Sequence, residues 1–171
     1  MNAPDLLLYE LAGADSGLRF SPHCWKTRMA LAHKRLTAET RPWRFTDKEA
    51  IAVTGQGLVP VLLHEGKALH DAWRIALYLE ERFPEQPSLF GGAAGLALTH
   101  FVNDWADTAL IPAIARLILL DVHAVAHEKD RDYFRASRES RFGMSLEEVV
   151  ADRPAHLAEA RRALLPLRRL L

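Results

Sequence analysis

Proline cannot donate to a β ladder, yet Pro60 lies inside the most strand-like run of this chain, Leu58-Val59-Pro60-Val61-Leu62-Leu63. That residue restricts the run to a strand start, a sheet edge, or a cis Val59–Pro60 bond in a tight turn. A bend of this kind would leave the Val59 N–H and C=O free to pair with an extended, peptide-like ligand. His64-Glu65-Gly66-Lys67 then reads as a hairpin turn into Ala68-Leu69-His70. Upstream, Leu6 to Leu11 is a short apolar run that reads as a buried strand ending in the loop Ala12 to Gly17. Glu39 to Phe45 is a second strand with Trp43 and Phe45 on one side. Asp47 to Val53 is a short helix ended by Gly55-Gln56-Gly57.

Between the first two strands lies Phe20-Ser21-Pro22-His23-Cys24-Trp25-Lys26-Thr27-Arg28. Ser21 is a good N-cap and Pro22 fits the first helical position, so the spacing predicts a helix from Pro22 to about Lys34. Trp25, Met29 and Leu36, with Ala32 between, fall near helical spacing and predict its apolar face. A helix start collects unpaired N–H groups and partial positive charge. Ser21 therefore has two readings: a plain cap, or a hydroxyl donor that helps the helix end hold a thiolate. Cys24, three residues on, gives a Ser-x-x-Cys pattern and reads as a packed thiol or, alternatively, as a redox nucleophile.

Asp71 caps the next helix, Ala72 to Phe83, on which Ile75, Tyr78, Leu79 and Phe83 form one apolar stripe and Trp73 and Leu77 a second. Pro84-Glu85-Gln86-Pro87 reads as a linker. The first part is thus β-α-β-α-β-β-α, an α/β unit with a mixed sheet. From Gly91 on no strand is expected. Leu96 to about Ala126 is a long helical stretch that Pro112 should end or kink, Arg131 to Arg141 a second helix, and Leu146 to Leu171 one helix or two broken at Pro154 and Pro166. The expected domains are residues 1–85 and an all-α part, 90–171.

Composition excludes several classes. Basic and acidic residues number 22 each, against a nucleic-acid partner. No apolar run suggests a membrane span, and Met1-Asn2-Ala3-Pro4-Asp5 lacks the basic end and apolar core of a leader. A single cysteine excludes an internal disulfide and suits a reducing, cytoplasmic setting. His123 and His127, with Asp121, have helical spacing, but one pair does not make a metal site, and a polar helix face accounts for them. Arg161, Arg162, Arg168 and Arg169 read as a solvated face, with a membrane-surface helix as the alternative.

Together, Ser21-Pro22, the Val59-Pro60 before a hairpin, and the acid-led helix ending Tyr78-Leu79-Glu80-Glu81-Arg82-Phe83-Pro84 resemble the glutathione S-transferase family. Ser21 to Arg28, Pro42-Trp43-Arg44-Phe45 and Tyr133 to Glu139 resemble its bacterial branch that includes the lignin β-etherases. The resemblance implies a thioredoxin-like N-terminal domain followed by an all-helical one. It implies a cytoplasmic, homodimeric detoxification enzyme that transfers glutathione, its co-substrate, to a hydrophobic, aromatic or aryl ether electrophile. It implies that Ser21 contacts the glutathione sulfur and that Val59, before cis-Pro60, binds the cysteinyl backbone. It further implies that Asp71 and Ala72 hold the γ-glutamyl end, that Lys48 takes the glycine carboxylate, and that Phe101 and Trp105 border the electrophile pocket. Two features depart from the family. Ala72 replaces a serine, and the helical part ends early. They keep open a non-catalytic glutathione-fold binding protein, alongside a thiol transferase working through Cys24.

Overall fold

In the computed structural model, which describes residues 5–170, the chain forms two compact units, Met1–Gly95 and Leu96–Leu171. The first four residues, with most of the segment read above for a leader, lie outside the described residues, as does Leu171.

The first unit holds a four-stranded sheet of order β2-β1-β3-β4, made of β1 (Leu6–Leu11), β2 (Glu39–Trp43), β3 (Val61–His64) and β4 (Lys67–His70). β1 and β2 run parallel with Leu11 opposite Trp43; β3 runs antiparallel to β1 with Val61 opposite Tyr9; β4 returns with His70 opposite Val61. The β3–β4 hairpin turns on Glu65 (φ 48°) and Gly66 (φ 74°). Positive φ at both positions matches the right-handed twist of the flanking strands, and glycine adopts it without a Cβ penalty. α1 (Pro22–His33) lies between β1 and β2 in sequence, and α2 (Ala72–Arg82) follows β4. The core joins Leu6, Leu8 and Leu62 of the sheet to Ala30 and Leu31 of α1 and to Ile75, Leu79 and Phe83 at α2. Full burial of each large aliphatic side chain contributes about 1.5–3 kcal/mol. The thioredoxin-like α/β unit with a mixed sheet is thus as expected.

Three expectations for this unit need correction. The inward face of α1 is Cys24, Thr27, Leu31 and Lys34, not Trp25, Met29 and Ala32, which are exposed. Two of the inward residues are polar, so apolar periodicity picks the wrong face. On α2 the Ile75–Leu79 stripe is buried, whereas Leu77 is exposed and Trp73 meets Phe90 at a tilt (centroids 5.4 Å apart, planes at 54°). α2 therefore buries one face. The third concerns strand ends. β2 ends at Trp43 rather than Phe45, because Arg44 N–H turns to the Asp47 carboxylate (3.2 Å), whereas β3 starts at Val61, directly after the cis Val59–Pro60 bond, as the proline allowed.

The second unit is all-helical. α3 (Ala93–Trp105), a π turn (Ala106–Leu110) and α4 (Ile111–Val125) form one continuous helix of 33 residues. Pro112 does not break it. The π turn, closed by the Ile111 N–H on the Ala106 carbonyl, shifts the bonding pattern by one residue just before the proline. By length and composition this helix is long and apolar enough to cross a membrane, where the sequence reading saw no apolar run of that length. α5 (Glu128–Phe142), α6 (Leu146–Val150), α7 (Arg153–Ala163) and α8 (Leu165–Leu170) follow. The last stretch is three helices rather than one or two, because Ser145 and Asp152 each supply a cap. Pro154 sits in the first turn of α7, where its missing N–H costs nothing. Leu119, Phe134, Leu146 and Val149 are buried, and Arg153 donates to the Leu117 carbonyl (3.1 Å), tying α7 to α4.

Candidate functional site

Strand register decides which segments meet. Leu11 and Trp43 end two parallel strands side by side, while Val61 begins β3 and His70 ends β4 at that same end of the sheet. The segment leading to Ser21, the segment from Arg44 to Pro60, and the Asp71–Ala72 helix start therefore all emerge at one end. Phe101 and Trp105 belong to the second unit. Both lie on α3, Phe101 70% exposed and Trp105 half-buried.

Ser21 is the N-cap of α1, and Pro22 opens the helix. The Ser21 side chain is buried, and its Oγ accepts the Cys24 N–H (3.3 Å). An oxygen that accepts this bond keeps its own proton to donate. Cys24 is fully buried, with its Sγ accepting the Leu11 N–H (3.4 Å). Burial pushes its thiol up, against the Ser21 hydroxyl and the Leu11 N–H, which lower it. A buried thiol with a raised pKa is a poor nucleophile.

The Val59–Pro60 bond is cis, and among the described residues the Val59 main chain makes no hydrogen bond. Asp71 caps α2, its Oδ1 accepting the Arg74 N–H (2.9 Å). It does so at φ 72°, ψ 122°, a conformation rarely held by a residue with a Cβ. Such strain costs about 1–3 kcal/mol and persists only where surroundings over-determine it. Ala72, the first helical residue, is buried and has no hydroxyl.

Lys48 is already engaged. Its Nζ donates to the Gly57 carbonyl (2.6 Å) and lies 4.9 Å from the Trp43 ring centroid. A Cβ at Gly57 would lie 2.9 Å from Lys48 Cδ, so a larger residue there would make the Lys48 side chain shift. The two residues line an open cavity of about 450 Å³ with Glu49, Ala52, Gly55 and Gln56.

Sequence reasoning missed one cluster beneath this end of the sheet. Glu10 is fully buried on β1, paired with Arg19 (3.6 Å) and Arg28 (3.5 Å). Its signal was an acid on the inward parity of an apolar strand, after Leu6 and Leu8. Burial pushes the Glu10 carboxyl up, against the two guanidinium groups. Among the described residues no three His, Cys, Asp or Glu side chains group as metal ligands, and His127 serves instead as the N-cap of α5.

Two family models match the chain: the N-terminal domain of glutathione S-transferase over residues 16–87 and its C-terminal domain over residues 97–171. Among solved structures, glutathione transferase GSTFuA2 from Phanerochaete chrysosporium is 26% identical with a TM-score of 0.85, over 95% of this chain and 70% of that one. A glutathione S-transferase of Ceriporiopsis subvermispora, CsGST63524, in complex with glutathione, is 22% identical with a TM-score of 0.84, over 95% of this chain and 72% of that one. The β-etherase LigF from Sphingobium sp. strain SYK-6 is 18% identical with a TM-score of 0.63, over 96% of this chain and 72% of that one, a likeness of fold. With its α/β half and its helical half each matched by a domain of the same family, the chain belongs to the glutathione S-transferases.

Proposed function

We propose that the chain binds glutathione at the sheet end where Ser21, Val59 and Asp71 emerge, and transfers it to an electrophilic carbon. The observation that carries this reading is Ser21 itself, a capping hydroxyl with a proton to donate at the start of a helix. A free thiol has a pKa near 8.5, and each unit of lowering needs about 1.4 kcal/mol of preference for the thiolate. A hydrogen bond to a charged group supplies about 1.5–3 kcal/mol and a helix start about 0.3–1 kcal/mol. The two together are of the size needed to make thiolate abundant at neutral pH.

Glutathione lies extended along Val59, whose main chain pairs with the cysteinyl backbone. Its γ-glutamyl end meets Asp71 and the Ala72 N–H, and its glycine carboxylate meets Lys48, which keeps donors beyond the one given to Gly57. The thiol proton goes to solvent. The thiolate then forms a carbon–sulfur bond while the carbon–leaving group bond breaks and the electron pair departs with a halide or phenolate. With an epoxide, the ring oxygen takes that pair. The electrophile is hydrophobic and aromatic, with Phe101 and Trp105 in its pocket. The aryl ether version rests on the motifs at Ser21–Arg28, Pro42–Phe45 and Tyr133–Glu139. A cytoplasmic homodimer with a detoxifying role completes the reading.

Ser21→Ala tests it. Turnover with an aryl halide should fall roughly 10- to 100-fold while the KM for glutathione changes less than about threefold. Unchanged turnover in a folded variant would remove Ser21 from the chemistry. The burial of Cys24 favours a transferase over a thiol transferase working through that residue.

A further inference from the structure

Glu10 is 0% exposed and follows Leu6 and Leu8 on the inward row of β1. Both of its carboxylate oxygens lack a hydrogen bond among the described residues, as do Nε and Nη1 of Arg19. The three charged groups are instead held by ion pairs of 3.6 Å (Arg19 Nε) and 3.5 Å (Arg28 Nε). Stability alone is a weak reason for such an arrangement, because apolar replacement of a buried ion pair is often neutral or stabilising. Its position suggests a different reason. Arg19 stands two residues before Ser21 and bridges to Ala12, closing the loop that leads into α1, and its carbonyl accepts the Trp25 indole N–H (2.9 Å). Leu11, next to Glu10, donates to Cys24 Sγ, and Cys24 donates in turn to Ser21 Oγ. Arg28, on α1, lies 4.9 Å from the Trp25 ring centroid. The cluster thus lies against both segments that hold Ser21, and two guanidinium groups against one carboxylate leave it with net positive charge.

We propose that Arg19, clamped by Glu10, is a positioning residue for Ser21: it fixes the approach to α1 and places positive charge behind the helix start, with Glu10 as its counterweight. This rests on the reading of Ser21 as the thiolate donor. Arg19 favours an anion at the Ser21 hydroxyl, while the Glu10 carboxylate opposes it. The two side chains therefore act with opposite sign, which a purely structural role would not produce.

The test is ultraviolet titration of the thiolate of glutathione bound to the full chain. It compares the natural sequence with Ser21→Ala, Arg19→Gln, Arg19→Lys and Glu10→Gln, each checked for folding by circular dichroism. Arg19→Gln should raise the bound thiol pKa by about one unit, a tenfold change in the thiolate ratio. Arg19→Lys should restore most of that loss, and Glu10→Gln should move the pKa downward. A folded Arg19→Gln with an unmoved pKa overturns the inference, as does a shift in the same direction for Arg19→Gln and Glu10→Gln. Should either fail to fold, Arg28→Gln removes charge from the half-exposed end of the cluster and should give a smaller rise; no rise overturns the inference. Ser21→Ala separates the two layers. If the natural chain does not lower the thiol pKa, or Ser21→Ala leaves it unmoved, the Ser21 reading fails and this inference with it.

Discussion

At position 72 the first turn of α2 offers a ligand its backbone N–H beside a methyl group. A carboxylate can use the N–H and the positive end of the helix, but no hydroxyl. Ala72→Ser should therefore tighten glutathione binding about tenfold, the effect of ~1.4 kcal/mol from one added bond to a charged group. A dissociation constant unchanged by the substitution would mean that the γ-glutamyl end does not rest on this turn. Ser21 and Asp71 were readable from sequence because capping is local: a short polar side chain sits just before a helical pattern and reaches the N–H three residues on. Glu10 was not readable as a buried charge, because its partners Arg19 and Arg28 lie 9 and 18 positions away and only the fold brings them together. The bond from Lys48 to the Gly57 carbonyl was not legible either, because it depends on the path of the intervening loop.

At the scale of elements, α1 and α2 are joined by a buried charge. Lys34, 0% exposed at the end of α1, donates to Glu80 of α2 (2.8 Å) and to the Pro87 carbonyl (3.3 Å). Ser88 and the Leu89 N–H complete the carboxylate's partners. Burial works against the Glu80 charge, but the Leu89 N–H, the Lys34 ammonium and the Ser88 hydroxyl together hold its carboxyl down at about 2. Glu80→Gln leaves Lys34 buried without a counter-charge and should cost about 3 kcal/mol in denaturant unfolding. Replacing both, Lys34→Met with Glu80→Leu, should cost clearly less; equal losses would contradict the pairing. The pH dependence has a definite sign. The unfolded chain binds the Glu80 proton near 4.5 and the folded chain near 2, so the contribution is complete above 4.5 and drains away as pH falls toward 2. Glu80→Gln should remove that part of the acid slope. None of this was legible from apolar periodicity, because a lysine on the inward face of α1 violates it. The course of the helix through Pro112 escaped notice for a similar reason: proline signals a break, and a π turn that absorbs it has no sequence signature of its own.

At the scale of the whole molecule, two units serve different parts of the account. The first was legible almost element by element, because each change from strand to helix is marked by Gly, Pro or a capping residue, and the Val59–Pro60 pair restricts where β3 can begin. The convergence of Ser21, Val59 and Asp71 at one sheet end follows from strand register, which spacing alone does not fix. The second unit was legible only as all-helical. Leu98, Phe101 and Val102 are exposed on α3, and helical periodicity alone does not tell which apolar side chains of that helix are covered. The most direct measurement of the central claim is calorimetric titration of the full chain with glutathione. The account predicts one site of sub-millimolar to millimolar strength, tightened by Ala72→Ser. Absence of binding at several-millimolar glutathione in the folded protein would contradict it.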